Sequence, residues 1–383
     1  VNEIYLDHAA SAPRRAEVLE AMRPFLTGVV GNPSGAHAAA RRARRALEEA
    51  REEIAGIFGV PAGGVTFTAG GTESCHMALA GAVGHRGRDF GVVTSAVEHH
   101  AVLTSAERLY ANGDAAYHRE VSVDSDGVLD CDALASAIDE KTAVVSVMAA
   151  NNETGVDQPL ALVAEVVRRN APDALLHTDA IAAAPWRDVA TIASWVDMVS
   201  VCAHKVGGPV NAGALVATRP LTLAPVIAGG GQERGRRGGT VDVAAAVGLA
   251  AALRWSALER EQDAKAVAAR RDQLADALGA LSNVRVTASS ASRLPGHCHV
   301  TASGVASDEL IFLLDRDGIC ASAGASCSSG AAVGSHVLAA MGVPATWARG
   351  AVRFTLGAET TDEDVATTIA SFTRALDRIR GGQ

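Results

Sequence analysis

Short apolar runs alternate with helical patterns along most of this chain of 383 residues. The runs are of strand length: Val65–Thr68, Phe90–Ser95, Ala143–Met148, Ala174–Thr178, Met198–Cys202 and Ala212–Thr218. Between them lie helical patterns at Arg41–Phe58, around Met77–Val83, from Ala101 onward and at Leu160–Arg169. Continuous apolar runs suit strands covered on both faces, and intervening helices supply the crossovers. The order predicts an α/β layered domain with a mostly parallel sheet. Val241–Arg271 is Ala-rich and helical and leads to a second unit. There, short strands at Val284–Thr287, His299–Thr301 and Val352–Leu356 accompany helices at Asp308–Asp317 and Asp364–Arg380, the pattern of a smaller α+β domain. Thr360-x-x-Glu363 reads as a capping box opening the last helix. Arg44–Glu48 and Arg45–Glu49 stand at i,i+4 and read as ion pairs on a solvated helix.

This length supports one large domain and a smaller one. The chain is 48% hydrophobic, yet it has no apolar run long enough to span a bilayer, so no membrane contact is expected. Val1–Asp7 lacks the apolar length of a signal peptide. The six cysteines show no CxxC or Cys/His metal spacing, which predicts no metal site and points to a reduced, cytoplasmic protein. A net charge of −9 argues against direct nucleic-acid binding.

The chemistry concentrates at Ala203-His204-Lys205, between the apolar run Val196–Cys202 and Gly207-Gly208-Pro209. A lysine at the end of a buried strand, beside glycines that allow close approach, can form a Schiff base with an aldehyde cofactor. Upstream, Asp179 closes the run Leu175–Asp179. A buried carboxylate there suits the protonated pyridine nitrogen of pyridoxal phosphate (PLP). Gly70-Gly71-Thr72-Glu73 follows Val65–Thr68, and strand, Gly turn and helix in that order form an anion cradle. Cys327 lies in a run of small residues, Ala323–Ser335, which reads as a flexible loop where a thiolate can form. Cys75, Cys131, Cys298 and Cys320 read as inert buried side chains.

In order along the chain, Tyr5-Leu-Asp-His-Ala-Ala10, Gly31-Asn-Pro-Ser34, Ala69–Glu73, Val97-Glu-His-His100, Asn151-Asn-Glu153, His204-Lys205, Gly229–Arg234, Gly239-Thr240, Cys327-Ser-Ser-Gly330, Ser335-His-Val-Leu338 and Arg353–Gly357 resemble the PLP-dependent cysteine desulfurases of the iron–sulfur-assembly type, in the class V aminotransferase group. The resemblance spans nearly the whole chain. It implies a homodimer of fold-type I architecture, with a mostly parallel seven-stranded sheet in a large domain over 14–255. Residues 1–13 and 256–383 would form the small domain. Lys205 would carry the cofactor and later shuttle a proton, and Asp179 would pair with the pyridinium. His99 would stack on the ring. Asn152 would contact the substrate carboxylate or the cofactor's phenolate oxygen. Gly71, Thr72 and His204 would bind the phosphate, and Thr240 would reach the phosphate of the neighbouring subunit. Arg353 would clamp the carboxylate of L-cysteine. Cys327 would take the sulfur as a persulfide, leaving L-alanine, and pass it to an acceptor protein. Its spacing to His336 matches the long-loop subclass.

Three positions depart from the family pattern. Ala182 stands where a Gln usually bonds the phenolate oxygen, Cys202 where a Ser binds phosphate, and Gly208-Pro-Val-Asn211 where Gly-Pro-Lys-Gly is usual. Two other readings stay open. A PLP-dependent C–S β-lyase or selenocysteine lyase would not need Cys327. A sulfur-relay scaffold that binds PLP with little turnover rests on Ala182 and Cys202 alone.

Overall fold

Seven strands form the large sheet of the computed structural model, which describes residues 3–323 and 334–381. They are β1 (Val65–Thr68), β2 (Gly91–Ser95), β3 (His118–Val121), β4 (Thr142–Ser146), β5 (Leu175–Asp179), β6 (Met198–Cys202) and β7 (Gly213–Ala217), in the spatial order β1-β7-β6-β5-β4-β2-β3. The pairings from β3 to β6 are parallel, and β7 is antiparallel to both its neighbours. β1 therefore runs in the same direction as β6. Every residue of β1, β2, β4, β6 and β7 is buried, which is why these strands read as unbroken apolar runs. The exception is β3, a half-exposed edge strand whose polar His118-Arg119-Glu120 gave no apolar signal.

A second sheet of four antiparallel strands lies C-terminal to it: β8 (Val284–Val286), β9 (His297–Ala302), β10 (Ser322–Ala323) and β11 (Ala351–Thr355), in the order β10-β11-β9-β8. The chain's start joins this unit, as Ile4–Tyr5 pairs in parallel with Ile319–Cys320. The helix Val243–Gly279 links the two sheets. Its 37 residues span roughly 55 Å at 1.5 Å per residue. Leu249 and Leu253 on its first half enter the core of the large sheet, and Leu274 and Leu278 on its second half enter the core of the small one.

Two local expectations are corrected. The last helix, Asp362–Gly381, is capped one residue later than expected. Thr361 N donates to Asp364 Oδ2 (2.8 Å) and Asp364 N donates to Thr361 Oγ1 (3.1 Å), while Thr360 Oγ1 accepts from Gly357 N. Arg44 and Arg45 form no ion pair with Glu48 or Glu49 among the described residues. Glu48 instead meets Arg51 at 3.3 Å, because Arg51 is drawn inward by Glu233.

The Arg51–Glu233 pair is buried, each side chain 3% exposed. Arg51 donates two hydrogen bonds to Glu233 (2.8 and 2.9 Å), and Phe67 N donates a third (2.8 Å). It pins a turn in which Glu233 and Arg234 hold φ of +48° and +57°, a region non-glycine residues seldom occupy. Glu233→Ala leaves the buried Arg51 guanidinium with only the Val65 carbonyl and the half-buried Glu48 carboxylate, at 3.3 Å, as hydrogen-bond partners among the described residues. Urea unfolding is expected to show a loss of about 3–5 kcal/mol; a loss below about 1 kcal/mol would show that the turn holds itself.

Under the centre of the sheet runs a buried hydrogen-bonded chain. Ser74 Oγ donates to Ala214 O (2.8 Å) and so accepts from Ser200 Oγ (2.8 Å). Ser200 in turn accepts from His177 Nε2 (2.9 Å), leaving His177 Nδ1 to accept from Ser146 Oγ (2.8 Å). Burial pushes His177 down to about 3, so the ring stays neutral when folded. Unfolded, it takes up a proton below its ordinary value of 6.5. Its contribution to stability is therefore full above that pH and falls as the pH drops toward 3. Glu98 and Glu153, both raised by burial, act in the opposite sense. The comparison that isolates the histidine is wild type against His177→Gln in unfolding between pH 7 and pH 4, where the variant is expected to lose less stability on acidification.

Candidate active site

Strand ends assemble the site. β1, β2, β5 and β6 all point their C-terminal ends to the same edge of the large sheet, the position where open α/β sheets bind ligands. Gly71 and Thr72 follow β1, His99 follows β2, Asp179 ends β5, and His204 and Lys205 follow β6. These residues, with Asn152 and with Arg353 from β11, line one cavity of about 320 Å³. The structure thus brings together eight of the residues singled out in the sequence.

The Lys205 amine donates to the carbonyls of Ala9 and, at 2.9 Å, Ala10, so the N-terminal segment covers it. Asp179 is 4% exposed. Its Oδ1 accepts from Ile181 N (2.9 Å) and its Oδ2 from the Cys75 thiol (3.6 Å). Burial raises its pKa, while His99 and Lys205 pull it back toward the ionised form. His99 Nδ1 accepts from Ala101 N (3.0 Å) and caps the helix His100–Ala111. That bond keeps Nδ1 unprotonated, and burial lowers the pKa of the ring, so His99 is a neutral aromatic with its proton on Nε2.

The helix Gly71–Arg86 starts at the cavity wall. Its first N–H groups and dipole favour an anion there. Gly70 has φ +147°, and a Cβ on Gly71 would meet the Ile181 side chain at 2.1 Å, so the backbone itself forms the wall. His204 flanks it, pushed down to about 4 by burial and Lys205. Cys202 lies beneath, its thiol pushed up to about 12 by burial. An amine, a buried carboxylate, a neutral aromatic and a helix N-terminus around one cavity match the aldehyde, pyridine nitrogen, ring and phosphate of PLP, so the residues present fit that cofactor. Ala182 lines the same cavity with only a methyl group and offers the phenolate oxygen no donor.

Arg353 is 2% exposed. It donates from Nη2 to Asp7 Oδ1 (2.8 Å) and from Nη1 to Asn152 O (2.9 Å). Thr240 is not brought to this cavity. It lines a separate one with Phe67 and Asn211, in a loop that Arg237 fastens to Glu73 by an ion pair of 2.8 Å. Cys327 lies outside the described residues. Before that stretch, β10 pairs with β11 at Arg353. After it, Ser335 Oγ donates to Glu153 Oε2 (2.6 Å) and His336 Nε2 donates to Glu98 O (2.9 Å).

Several site residues escaped the sequence reading. Asp7, Glu98 and Glu153 sat within motifs already noted, yet their neighbours carried the expected roles. Cys75 gave no signal, since a cysteine in an apolar helix reads as core. Cys131 and Cys320 are only partly buried.

A lysine and a carboxylate at adjacent strand ends, facing a helix N-terminus across this sheet, place the chain among the PLP enzymes of fold type I. Residues 4–367 match the family model for aminotransferase class V. The chain belongs to that family and, within it, to the cysteine desulfurases. It is 37% identical to the cysteine desulfurase IscS of Dictyoglomus turgidum, covering 99% of this chain and 95% of that protein. It is 40% identical to an IscS-like cysteine desulfurase of Mycobacterium tuberculosis over 98% of this chain and 97% of the other. A solved NifS-like protein superposes with a TM-score of 0.91 at 32% identity, covering 98% of this chain and all of the other.

Proposed function

We propose that this protein removes sulfur from L-cysteine, releasing L-alanine, and that Cys327 holds the sulfur as a persulfide for an acceptor protein. The observation that carries this reading is the convergence of Lys205, Asp179 and Arg353 on one cavity. Arg353 binds the substrate carboxylate with its planar fork, exchanging its contact with Asp7 for the ligand's. Asp179 keeps a proton at the ring nitrogen, and His99 covers the ring face. When bound, PLP stores the electron pair left at Cα. Lys205 first anchors the cofactor, then takes the Cα proton and returns it. The Cys327 thiolate attacks the substrate sulfur: an S–S bond forms, the Cβ–S bond breaks with its electron pair kept by the carbon skeleton, and protonation at Cβ lets that skeleton leave as alanine.

Support for a homodimer comes from Thr240, which lines a cavity other than that of Lys205, and from exposed apolar residues at Leu26, Val29 and Val210. In that dimer Thr240 reaches the partner's phosphate. The long bridging helix supports a division into a large domain over 14–255 and a small one built from 1–13 and 256–383. The acidic balance, and the absence among the described residues of a helix able to cross a membrane, fit a cytoplasmic enzyme. Cys327→Ser separates this reading from a lyase. Loss of alanine formation from L-cysteine is expected; pyruvate and sulfide made at the wild-type rate by the variant would assign elimination instead.

A further inference from the structure

Four nitrogens on one face of the small sheet are buried without a hydrogen-bond partner among the described residues: His297 Nδ1 and Nε2, His299 Nε2 and Arg353 Nε. The sheet explains their meeting. Cys298, Val300, Val352 and Phe354 point into the small core, so the residues alternating with them face the cavity side. His299 stands directly opposite Arg353 in the antiparallel register of β9 and β11. Such pairs share a face with Cβ atoms about 4.5–5.5 Å apart. Thr287 flanks His299 on the other side, with 2.8 Å between Thr287 Oγ1 and His299 Nδ1. Ser322 stands opposite Arg353 on β10. Thr287, His299, Arg353 and Ser322 therefore form one polar row across the sheet.

The chemistry of this row has one consistent arrangement. A guanidinium N–H can only donate, so for His299 to bond Arg353 Nε its Nε2 must offer a lone pair. A neutral imidazole has one N–H, and it then sits on Nδ1 and donates to Thr287 Oγ1. Burial holds His299 in the neutral form this requires, pushing it down to about 3. Both Nη atoms of Arg353 are engaged by Asp7 and Asn152, and Nε is the remaining handle on the plane of the fork.

We propose that His299 is a positioning residue for Arg353: its Nε2 accepts the Arg353 Nε–H as the guanidinium turns from Asp7 to a substrate carboxylate. This rests on the reading of Arg353 as the carboxylate site. The arrangement makes Thr287 part of the device, because its hydroxyl fixes the tautomer.

The test uses the PLP-loaded enzyme. Binding of L-alanine, which carries the carboxylate, and of cysteamine, which lacks it, is read from the cofactor absorbance. His299→Leu is expected to raise the L-alanine Kd and the L-cysteine KM about tenfold, with kcat changed much less. Cysteamine binding stays unchanged, and His299→Gln, whose Oε1 restores an acceptor, recovers most of the loss. Should His299→Leu fail to fold, Thr287→Val reports on the same row, with a loss of several-fold confined to L-alanine. Arg353→Ala weakening L-alanine while His299→Leu and Thr287→Val do not would overturn the inference and leave the Arg353 reading intact. Equal weakening of L-alanine and cysteamine would assign His299 a merely structural role. No effect of Arg353→Ala would remove the reading beneath it.

Discussion

Lys205→Ala is expected to bind PLP without the absorbance band of the lysine-linked cofactor and to lose at least about a thousandfold in alanine formation. Two functions vanish with one side chain. In the proposed mechanism the amine is both the covalent anchor and the base that takes the Cα proton. Among the described residues the site provides no substitute: His99 has its Nδ1 engaged by Ala101 N, and His204 is pushed down to about 4 by burial and Lys205. The fold is expected to survive, since the Lys205 amine donates to the carbonyls of Ala9 and Ala10, which lie in the N-terminal segment covering the site. An added primary amine should restore a small part of the activity. Retention of more than about a tenth of the rate would move the proton transfer to another residue.

The second large effect concerns Asp179. Asp179→Asn keeps the shape and the contact with Ile181 N but removes the charge that the proposed mechanism sets at the pyridine nitrogen. The ring then loses its proton there and with it most of its power to hold electrons. A drop of roughly 10²–10³-fold in turnover is expected, the range for losing one preorganised electrostatic partner. The drop should lie in kcat, because the substitution leaves Arg353, the proposed carboxylate clamp, untouched. Cofactor affinity falls too, as the helix Gly71–Arg86 is left to hold the phosphate without the ring contact. Cys75 touches the same carboxylate, so Cys75→Ala serves as the graded control, with a smaller loss in the same direction. A variant with wild-type kcat would show that the ring nitrogen is held elsewhere.

What the sequence made legible follows burial. Strands covered on both faces announce themselves as apolar runs, and β1, β2, β4, β5, β6 and β7 were found that way, with Lys205, Asp179 and Gly71 marked by their place at strand ends. β3 was missed because an edge strand is solvated and its residues are polar. The cap at Thr361 rather than Thr360 differs by one residue, and only backbone geometry decides between adjacent threonines. Arg44 and Arg45 show the limit of spacing rules: Glu48 had a competing partner in Arg51, which a buried glutamate 182 residues away had drawn in. Asp7 and Arg353 are separated by 346 residues and meet because Asp7 bridges to Thr355, two residues from Arg353 on the small sheet. Contacts of that kind have no local signature.

The most direct measurement is the mass of the peptide bearing Cys327 after the PLP-loaded enzyme is mixed with L-cysteine, alkylated without reduction and digested. The account requires that peptide to gain the mass of one sulfur atom, in step with alanine release and lost on treatment with a thiol. An unmodified Cys327 peptide, with alanine still produced, would contradict it.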